Sequence, residues 1–394
     1  MEKDNNKLEK IVSLCKRRGF VYPSSEIYGG FSGFWHYGHY GAILKENIKF
    51  VWKQKFIFER SDVFMTDTSI ISNPKVLESS GHVENFGNEI FKTMIGTGEE
   101  AITSYLRPET AQSIFIDFKN TIDTHHPTLP FGIAQIGKAF RNEISPRDFI
   151  FRDRELEQME VEYFIRENDW EKYFEEWREN MKNFAKEVGI NDIFELEVPT
   201  DDRAHYSKRT IDFLFDWPFG RGELWGLAYR TDFDLKNHGL DYFDEESGTR
   251  FIPHVIEPSL GVERTMLAVL LSAYTEDEMD GEKRVFLKLS PNIAPIKIAV
   301  FPLLKNKPEL VKKAREIFSL LKKEFKSVEF DDNGNIGKRY RRQDEIGTPF
   351  CVTVDFDTIE KGEGVTVRDR DTGEQERVLE SGLVAYLQNK IFGI

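Results

Sequence analysis

Cysteine is nearly absent: the 394 residues contain two, Cys15 and Cys351, far apart and each without a second Cys or a His nearby. That excludes a disulfide framework and a thiolate-rich zinc cage, so zinc is not expected and any metal must rest mainly on oxygen ligands. Long apolar runs are missing too. No stretch reaches the roughly 20 apolar residues that a membrane span needs, and the opening MEKDNNKLEKI is charged where a secretory leader needs an apolar core. The expectation is a cytoplasmic protein with no membrane contact. Positive charge is also in deficit, with 54 Lys plus Arg against 68 Asp plus Glu and a net charge of -14. This argues against a general polyanion coat, because nonspecific nucleic-acid affinity follows clustered positive charge. The deficit is uneven. From Pro295 onward 18 basic residues face 17 acidic ones, so the last segment is near +1 and the remainder near -15.

What is present suits a folded chain of two or three domains: 40% hydrophobic, 13% aromatic and 31% charged residues exclude a collagenous, low-complexity or disordered protein. An aromatic and glycine cluster, YGGFSGFWHYGHYG, precedes AILKENIKFVWKQKFIFER, whose apolar residues recur at helical spacing and predict one long helix over 41–59. Short apolar runs between Val63 and Pro74 predict a strand, with Pro74 at its end or edge. FGIAQIGKAF, QMEVEYFI and ELWGLAYR read as further strands, and the lack of regular intervening helices suggests an antiparallel sheet. One amphipathic helix from about 168 to 188 interrupts them. After SPNIAP the pattern becomes strand, helix, strand, helix, strand, hairpin and final helix, a small mixed α/β domain. The expected architecture is α+β, with domains at 1–292 and 293–394.

The segment FRNEISPRDFIFRDRELEQMEVEYF carries the densest chemistry. Arg141 and Glu143 are two apart and face one side of a strand, and Phe149, Ile150 and Phe151 stand among the charges where a base could stack. A solvated, salt-bridged hairpin is the plain alternative. Arginine is nevertheless the side chain suited to bidentate phosphate contact.

This Arg-x-Glu strand, loop and return strand resembles motif 2 of the class II aminoacyl-tRNA synthetases. The wording is similar to that of glycyl-tRNA synthetases of the homodimeric type, supported by YLRPETAQSIF, GELWGLAYRTDFDLK and VIEPSLGVERTMLAVL in order along the chain. The resemblance runs from about residue 10 onward. It implies a catalytic domain built on an antiparallel sheet flanked by helices, an anticodon-binding domain, and attachment of glycine to tRNA(Gly) through a glycyl-adenylate. ATP and magnesium are the implied cofactors.

By the same resemblance, Arg141 holds the α-phosphate, Glu143 accepts from the adenine amino group, Arg152 reaches the terminal phosphates with Phe151 beside the nucleotide, and Arg264 lies across it from Arg141. Asn142, Asp153, Arg154, Glu155, Leu156, Leu224, Gly261, Val262 and Glu263 complete the implied ATP site. Glu223 is the candidate magnesium ligand, since a hard cation bridging phosphates needs carboxylate oxygen; an ordinary strand carboxylate is the alternative. Glu109, Glu160 and Glu257, with Ser259, are implied around the glycine ammonium. Gln112, Leu156, Glu157, Gln158, Met159, Arg230, Pro258, Leu260 and Gly261 line the same site. Carboxylates crowded about the Cα leave no room for a side chain, so glycine is selected by exclusion and needs no editing domain. The long helix and following strand resemble motif 1, which implies a dimer interface; a core helix of a monomer is the alternative. Lys338, Arg339, Arg341 and Arg342 are candidate tRNA contacts on a helix that a solvated face explains equally well.

The chain departs from the family pattern at Ser113, where glycine is usual, at His39, where proline is usual, and at Leu156, where an adenine-stacking phenylalanine is usual. The interval from His82 to Leu106 is also short where relatives carry an insertion contacting the acceptor stem. Two rival readings stand beside the leading one: a noncatalytic nucleic-acid-binding subunit on the same frame, and a synthetase for threonine, proline or serine.

Overall fold

The computed structural model describes residues 5–81, 83, 89–279 and 281–393. Helical apolar spacing yields α1 (Asn5–Arg18) and α2 (His39–Lys53). The predicted long helix continues past α2 as one wider turn over Gln54–Phe58, closed by Glu59 N–H donating to the Gln54 carbonyl at 2.9 Å. His39 occupies the first helical position of α2, where a proline would be pre-organised.

A seven-stranded sheet carries the N-terminal part. Its strands are β1 (Val63–Met65), β2 (Phe131–Phe140), β3 (Glu155–Ile165), β4 (Ile193–Glu197), β5 (Arg209–Trp217), β6 (Gly220–Thr231) and β7 (His254–Gly261), in the order β1-β2-β3-β7-β6-β5-β4. Every pairing is antiparallel except the edge pair β1 and β2, which is parallel. The expected antiparallel sheet is corrected to that extent. The expected strand from Val63 to Pro74 also breaks up: after β1 only Ile71–Ser72 is extended, and Pro74 opens a short helix, Pro74–Ser79, whose cap Asn73 accepts from Lys75 N–H at 3.1 Å. A proline there has no N–H to lose and a φ already suited to a helix.

Helices cover both faces. α3 (Ala111–His125) lays Ile114, Phe115 and Phe118 on Phe131, Ile133 and Phe164. The other face buries Leu44, Ile48 and Trp52 of α2, with Trp177 and Phe184 of α4 (Trp170–Glu187) and Met266 and Leu270 of α5 (Val262–Ala273).

A second core belongs to the C-terminal part. There β8 (Ile298–Pro302), α6 (Pro308–Phe325), β9 (Val328–Phe330), α7 (Ile336–Ile346), β10 (Phe350–Val354), β11 (Val365–Asp369), β12 (Gln375–Val378) and α8 (Glu380–Phe392) form a mixed five-stranded sheet ordered β9-β8-β10-β11-β12 with packed helices. The halves are tied by polar contacts. Arg17 and Arg18 of α1 reach Glu345 of α7 at 3.2 and 2.5 Å, and the Tyr40 hydroxyl donates to Glu329 at 2.8 Å.

Candidate active site

Strand alternation decides which side chains meet. On β3, Gln158, Glu160 and Glu162 share one face and Glu157, Met159 and Val161 the other. The register that pairs Ser259 with Glu160 brings β7 onto the same face. Ser259 Oγ donates to Glu160 Oε1 at 2.6 Å, Gln158 Nε2 donates to that oxygen at 2.8 Å, and the Thr110 hydroxyl donates to Oε2. Glu160 is buried, and burial together with the charge of Glu109 raises its pKa. On the neighbouring strand Arg230 Nη1 donates to Glu257 at 2.8 Å, while its other edge grips Asp234 at 2.7 and 2.9 Å. The guanidinium lies 3.8 Å from the Tyr206 ring centroid. Gln112 joins through Asp234 at 2.9 Å, its own Oε1 meeting His238 at 2.9 Å. Glu109, Glu160 and Glu257, far apart in sequence, therefore share one acidic cluster. Burial, with Glu160 and Glu109 adding to it against Arg230, raises Glu257 as well.

Beside this cluster lies a pocket of about 140 Å³ lined by Arg141, Glu143, Phe151, Arg152, Asp153, Leu156, Glu223, Leu224, Gly261, Glu263 and Arg264, with Gln158 and Ser259 joining it to the acidic group. Two ion pairs narrow it. Arg152 bonds Glu143 at 2.7 Å, and Arg264 bonds Glu223 at 3.0 Å while its guanidinium lies 4.7 Å from the Phe151 ring centroid. Arg141 Nε donates to the Pro108 carbonyl at 3.0 Å, which orients the rest of its guanidinium. The loop between β2 and β3 holds Asp148 and Phe149 at φ 60, a conformation Asp tolerates but one costly for Phe, and Phe149 packs edge-on against Trp35 at 5.0 Å. Phe151 is wedged in the same edge-on way by Trp217 and Phe219, each at 4.9 Å.

Several residues named from the sequence stand elsewhere, and two, Asp153 and Glu263, line the pocket as buried supports, for reasons of strand parity and burial. Glu157 faces away from the acidic cluster and pairs with Lys45 and Lys49 at 3.0 and 2.9 Å. Burial favours its neutral form, but the two lysines prevail and bring its pKa down to about 2. Met159, Leu260 and Val262 point into the apolar core, and Pro258 follows Leu260 in strand parity, away from Glu257 and Ser259. Glu155 pairs with Lys138 at 2.8 Å. Arg154 uses its guanidinium on the carbonyls of Glu143 and Ser32, both at 3.0 Å, which closes the loop and leaves the pocket to its neighbours. Asn142 is held by its backbone N–H, 2.7 Å from the Glu89 carbonyl. Asp153 is buried under Trp35 Nε1 at 2.8 Å, and burial plus Glu263 push its pKa well up. Glu263 itself accepts from Lys45 at 2.7 Å and from Glu157 N–H at 2.8 Å, so it braces the pocket floor.

Residues the sequence reading passed over also matter. Trp225 lines the pocket, and Thr110, Asp234 and Tyr206 build the acidic cluster. Asp234 had no periodic signal: Arg230 stands at the end of β6 and Asp234 in the first turn of the short helix Phe233–Asn237, so only the tight turn between them brings the two together. Lys45 had none, because a lone lysine within an amphipathic helix looks solvated.

The proposed tRNA contacts divide. Lys338, Arg341 and Arg342, with Arg18 and Arg368, line a pocket of about 630 Å³ on α7. Arg339 faces inward, buried, and donates to the carbonyls of Pro302, Asp332 and Gly334. It is thereby corrected from a phosphate contact to a brace of its own domain.

Among known proteins, residues 93–273 match the tRNA synthetase class II core domain (G, H, P, S and T) and residues 297–390 match an anticodon binding domain. The chain is 44% identical to the glycine–tRNA ligase of Thermobifida fusca, with 98% of each chain covered. It is 42% identical to that of Lachnospira eligens over 97% of this chain and 98% of the relative, and 39% identical to that of Thermus thermophilus over 98% and 99%. The aligned lengths of 457 to 499 positions exceed the 394 residues here, so these relatives carry segments that this chain lacks. On its sheet, its motifs and its full-length likeness, the chain belongs to the glycine–tRNA ligase family of class II aminoacyl-tRNA synthetases.

Proposed function

We propose that this chain charges tRNA(Gly): a carboxylate oxygen of glycine attacks the α-phosphorus of ATP, pyrophosphate leaves, and the ribose hydroxyl of the terminal tRNA adenosine then takes the glycyl group and releases AMP. The observation that carries it is the cluster of Glu109, Glu160 and Glu257 at the inner end of the pocket containing Arg141, Glu143 and Arg264. A cation held by several carboxylates beside phosphate-binding guanidiniums is the arrangement an amino acid and ATP need in order to react. Arg141 and Arg264 neutralise charge at the α-phosphate, Glu143 accepts from the adenine amino group, and Arg152 turns from Glu143 to the terminal phosphates. Glu257 and Glu160 hold the ammonium and fill the space a side chain would need. Leu156 packs on the base in place of a ring.

Magnesium fits as the phosphates' counter-ion. Glu223 is the pocket carboxylate that would hold it once Arg264 turns to phosphate, and one protein carboxylate plus phosphate oxygens is ordinary for this ion. When bound it would neutralise charge on the leaving pyrophosphate.

The partners follow from the same reading. Lys338, Arg341 and Arg342 present the C-terminal domain to tRNA in the cytoplasm, and a division at 292/293 separates adenylation from tRNA reading. Phe50, Phe58 and Met65, exposed on α2, the turn after it and the edge strand β1, are the surface a second copy would cover.

Amino-acid-dependent exchange of pyrophosphate into ATP, run without tRNA on glycine, alanine, serine, threonine and proline, tests the reading. Exchange with glycine alone is expected. Exchange with another amino acid would replace the substrate, and none with any, with or without tRNA, would leave a binding subunit.

A further inference from the structure

The acidic cluster contains a carboxyl group that none of these roles uses. Glu162 is fully buried on β3, two residues from Glu160 on the same face, and neither of its oxygens meets a hydrogen-bond donor among the described residues. The register pairing Ile256 with Tyr163 and Ser259 with Glu160 sets Glu257 directly across from it on β7. Side chains at such opposed positions have Cβ atoms roughly 5 Å apart, and like charges there repel. The groups facing this point from each packed element can be named. β3 adds Glu160, β7 Glu257, β6 Arg230, the helix Phe233–Asn237 Asp234, and the turn before α3 Glu109. β2 offers Ile133, paired with Glu162, and α3 its apolar side and Gln112.

Five acids thus face Arg230, with the buried Arg107 guanidinium acting on Glu160 alone among those named. Arg230 is taken by Asp234 and Glu257, and Glu160 is served by Ser259, Gln158 and Thr110, so Glu162 is left without a hydrogen-bond donor, and the attraction of Arg230 is outweighed by burial and the Glu257 charge. A buried carboxylate without donors holds its proton.

We propose that Glu162 is a positioning residue of the amino-acid site, a neutral acid behind Glu257 that gives up its proton when the ammonium of glycine enters the cluster. The inference rests on the glycine reading above. One positive charge arrives as ammonium and one leaves as a proton to solvent, so the cluster's total charge stays constant. The empty site is thereby kept from repelling itself apart, and glycine binding strengthens as pH rises through the titration of Glu162. Burial and the Glu257 charge both push that titration upward.

Calorimetric titration of glycine into the full chain near pH 7, in two buffers of different ionisation enthalpy, counts the protons exchanged. Proton release is expected in the unaltered protein, and roughly one proton fewer per site in Glu162→Gln, which copies the neutral acid and leaves only Glu257, itself raised to about 8, to titrate. The KM for glycine in pyrophosphate exchange should fall with rising pH in the unaltered protein and fall less steeply in the variant, while the KM for ATP follows neither. No release by the unaltered protein would overturn the inference even if Glu162→Gln could not be folded, and so would equal release by both proteins. Those results leave glycine-dependent exchange intact. Absence of both glycine heat and exchange would remove the glycine reading, and this inference with it.

Discussion

Arg264 is fixed by a carbonyl, a ring and a carboxylate at once: Phe151 O at 3.3 Å, the Phe151 ring, and Glu223 at 3.0 Å. Because it is partly exposed and lies at the pocket wall, Arg264→Ala is expected to leave the unfolding midpoint nearly unchanged while glycine-dependent exchange drops by roughly 10²–10³-fold, the cost of one preorganised donor to developing charge. Retained exchange would take Arg264 out of the site. Glu160→Gln is expected to raise the KM for glycine by at least about tenfold and the KM for ATP far less; equal effects on both would contradict its place beside the ammonium. At this scale the sequence told unevenly. Arg141, Glu143 and Arg264 were legible through motif wording, and so were Glu109, Glu160 and Glu257, which nothing in their spacing brings together. The ionisation of Glu162 was not, since it depends on which residue stands opposite on another strand and on which donors its neighbours have already taken.

Besides its apolar packing and the Lys49 pair with Glu157, α2 is tied to the sheet and to α5 by one buried ammonium. Lys45 bonds Glu263 at 2.7 Å and Glu157 at 3.0 Å, and its Nζ lies 4.0 Å from the Tyr37 ring centroid. Lys45→Met removes one partner from two largely buried carboxylates and is expected to cost about 3–5 kcal/mol in denaturant unfolding, a loss typical of breaking a buried pair from one side. A loss below about 1 kcal/mol would show that the network contributes little. In the C-terminal domain, Asn335 caps α7 by accepting from Lys338 N–H at 2.9 Å, and Asn335→Ala should cost about 1 kcal/mol there. Long elements were readable from periodicity: α2, α4 and α6 follow apolar stripes, and β2, β3 and β6 fall where alternation placed them. Short ones were not. β1 is three residues long and pairs in parallel with a strand far along the chain, and the helix at Pro74 is announced only by its cap and its proline, which also suits a strand edge.

For the whole molecule, the carboxylates set opposite slopes of stability against pH. Glu157 has its pKa lowered from 4.5 to about 2, so the stability it adds is present above pH 4.5 and is lost as pH falls toward 2. Glu257 is raised from 4.5 to about 8, so its contribution is present below pH 4.5 and is lost as pH rises through 8. Denaturant midpoints of the glycine-free protein are therefore expected to fall toward both ends, with the alkaline fall reduced by saturating glycine; a flat alkaline limb would contradict the burden of acid in the cluster. The sequence had already separated an acidic body from a near-neutral last segment, but the contacts joining them lay beyond it, because they pair residues 289 to 328 positions apart. Arg17 and Arg18 meet Glu345 across separations of 328 and 327 residues. A ribosome adding about 5–20 residues per second needs tens of seconds to supply that partner. Through that interval the nascent α1 carries two arginines whose carboxylate does not yet exist, and the seam between the two cores stays open until α7 has been made.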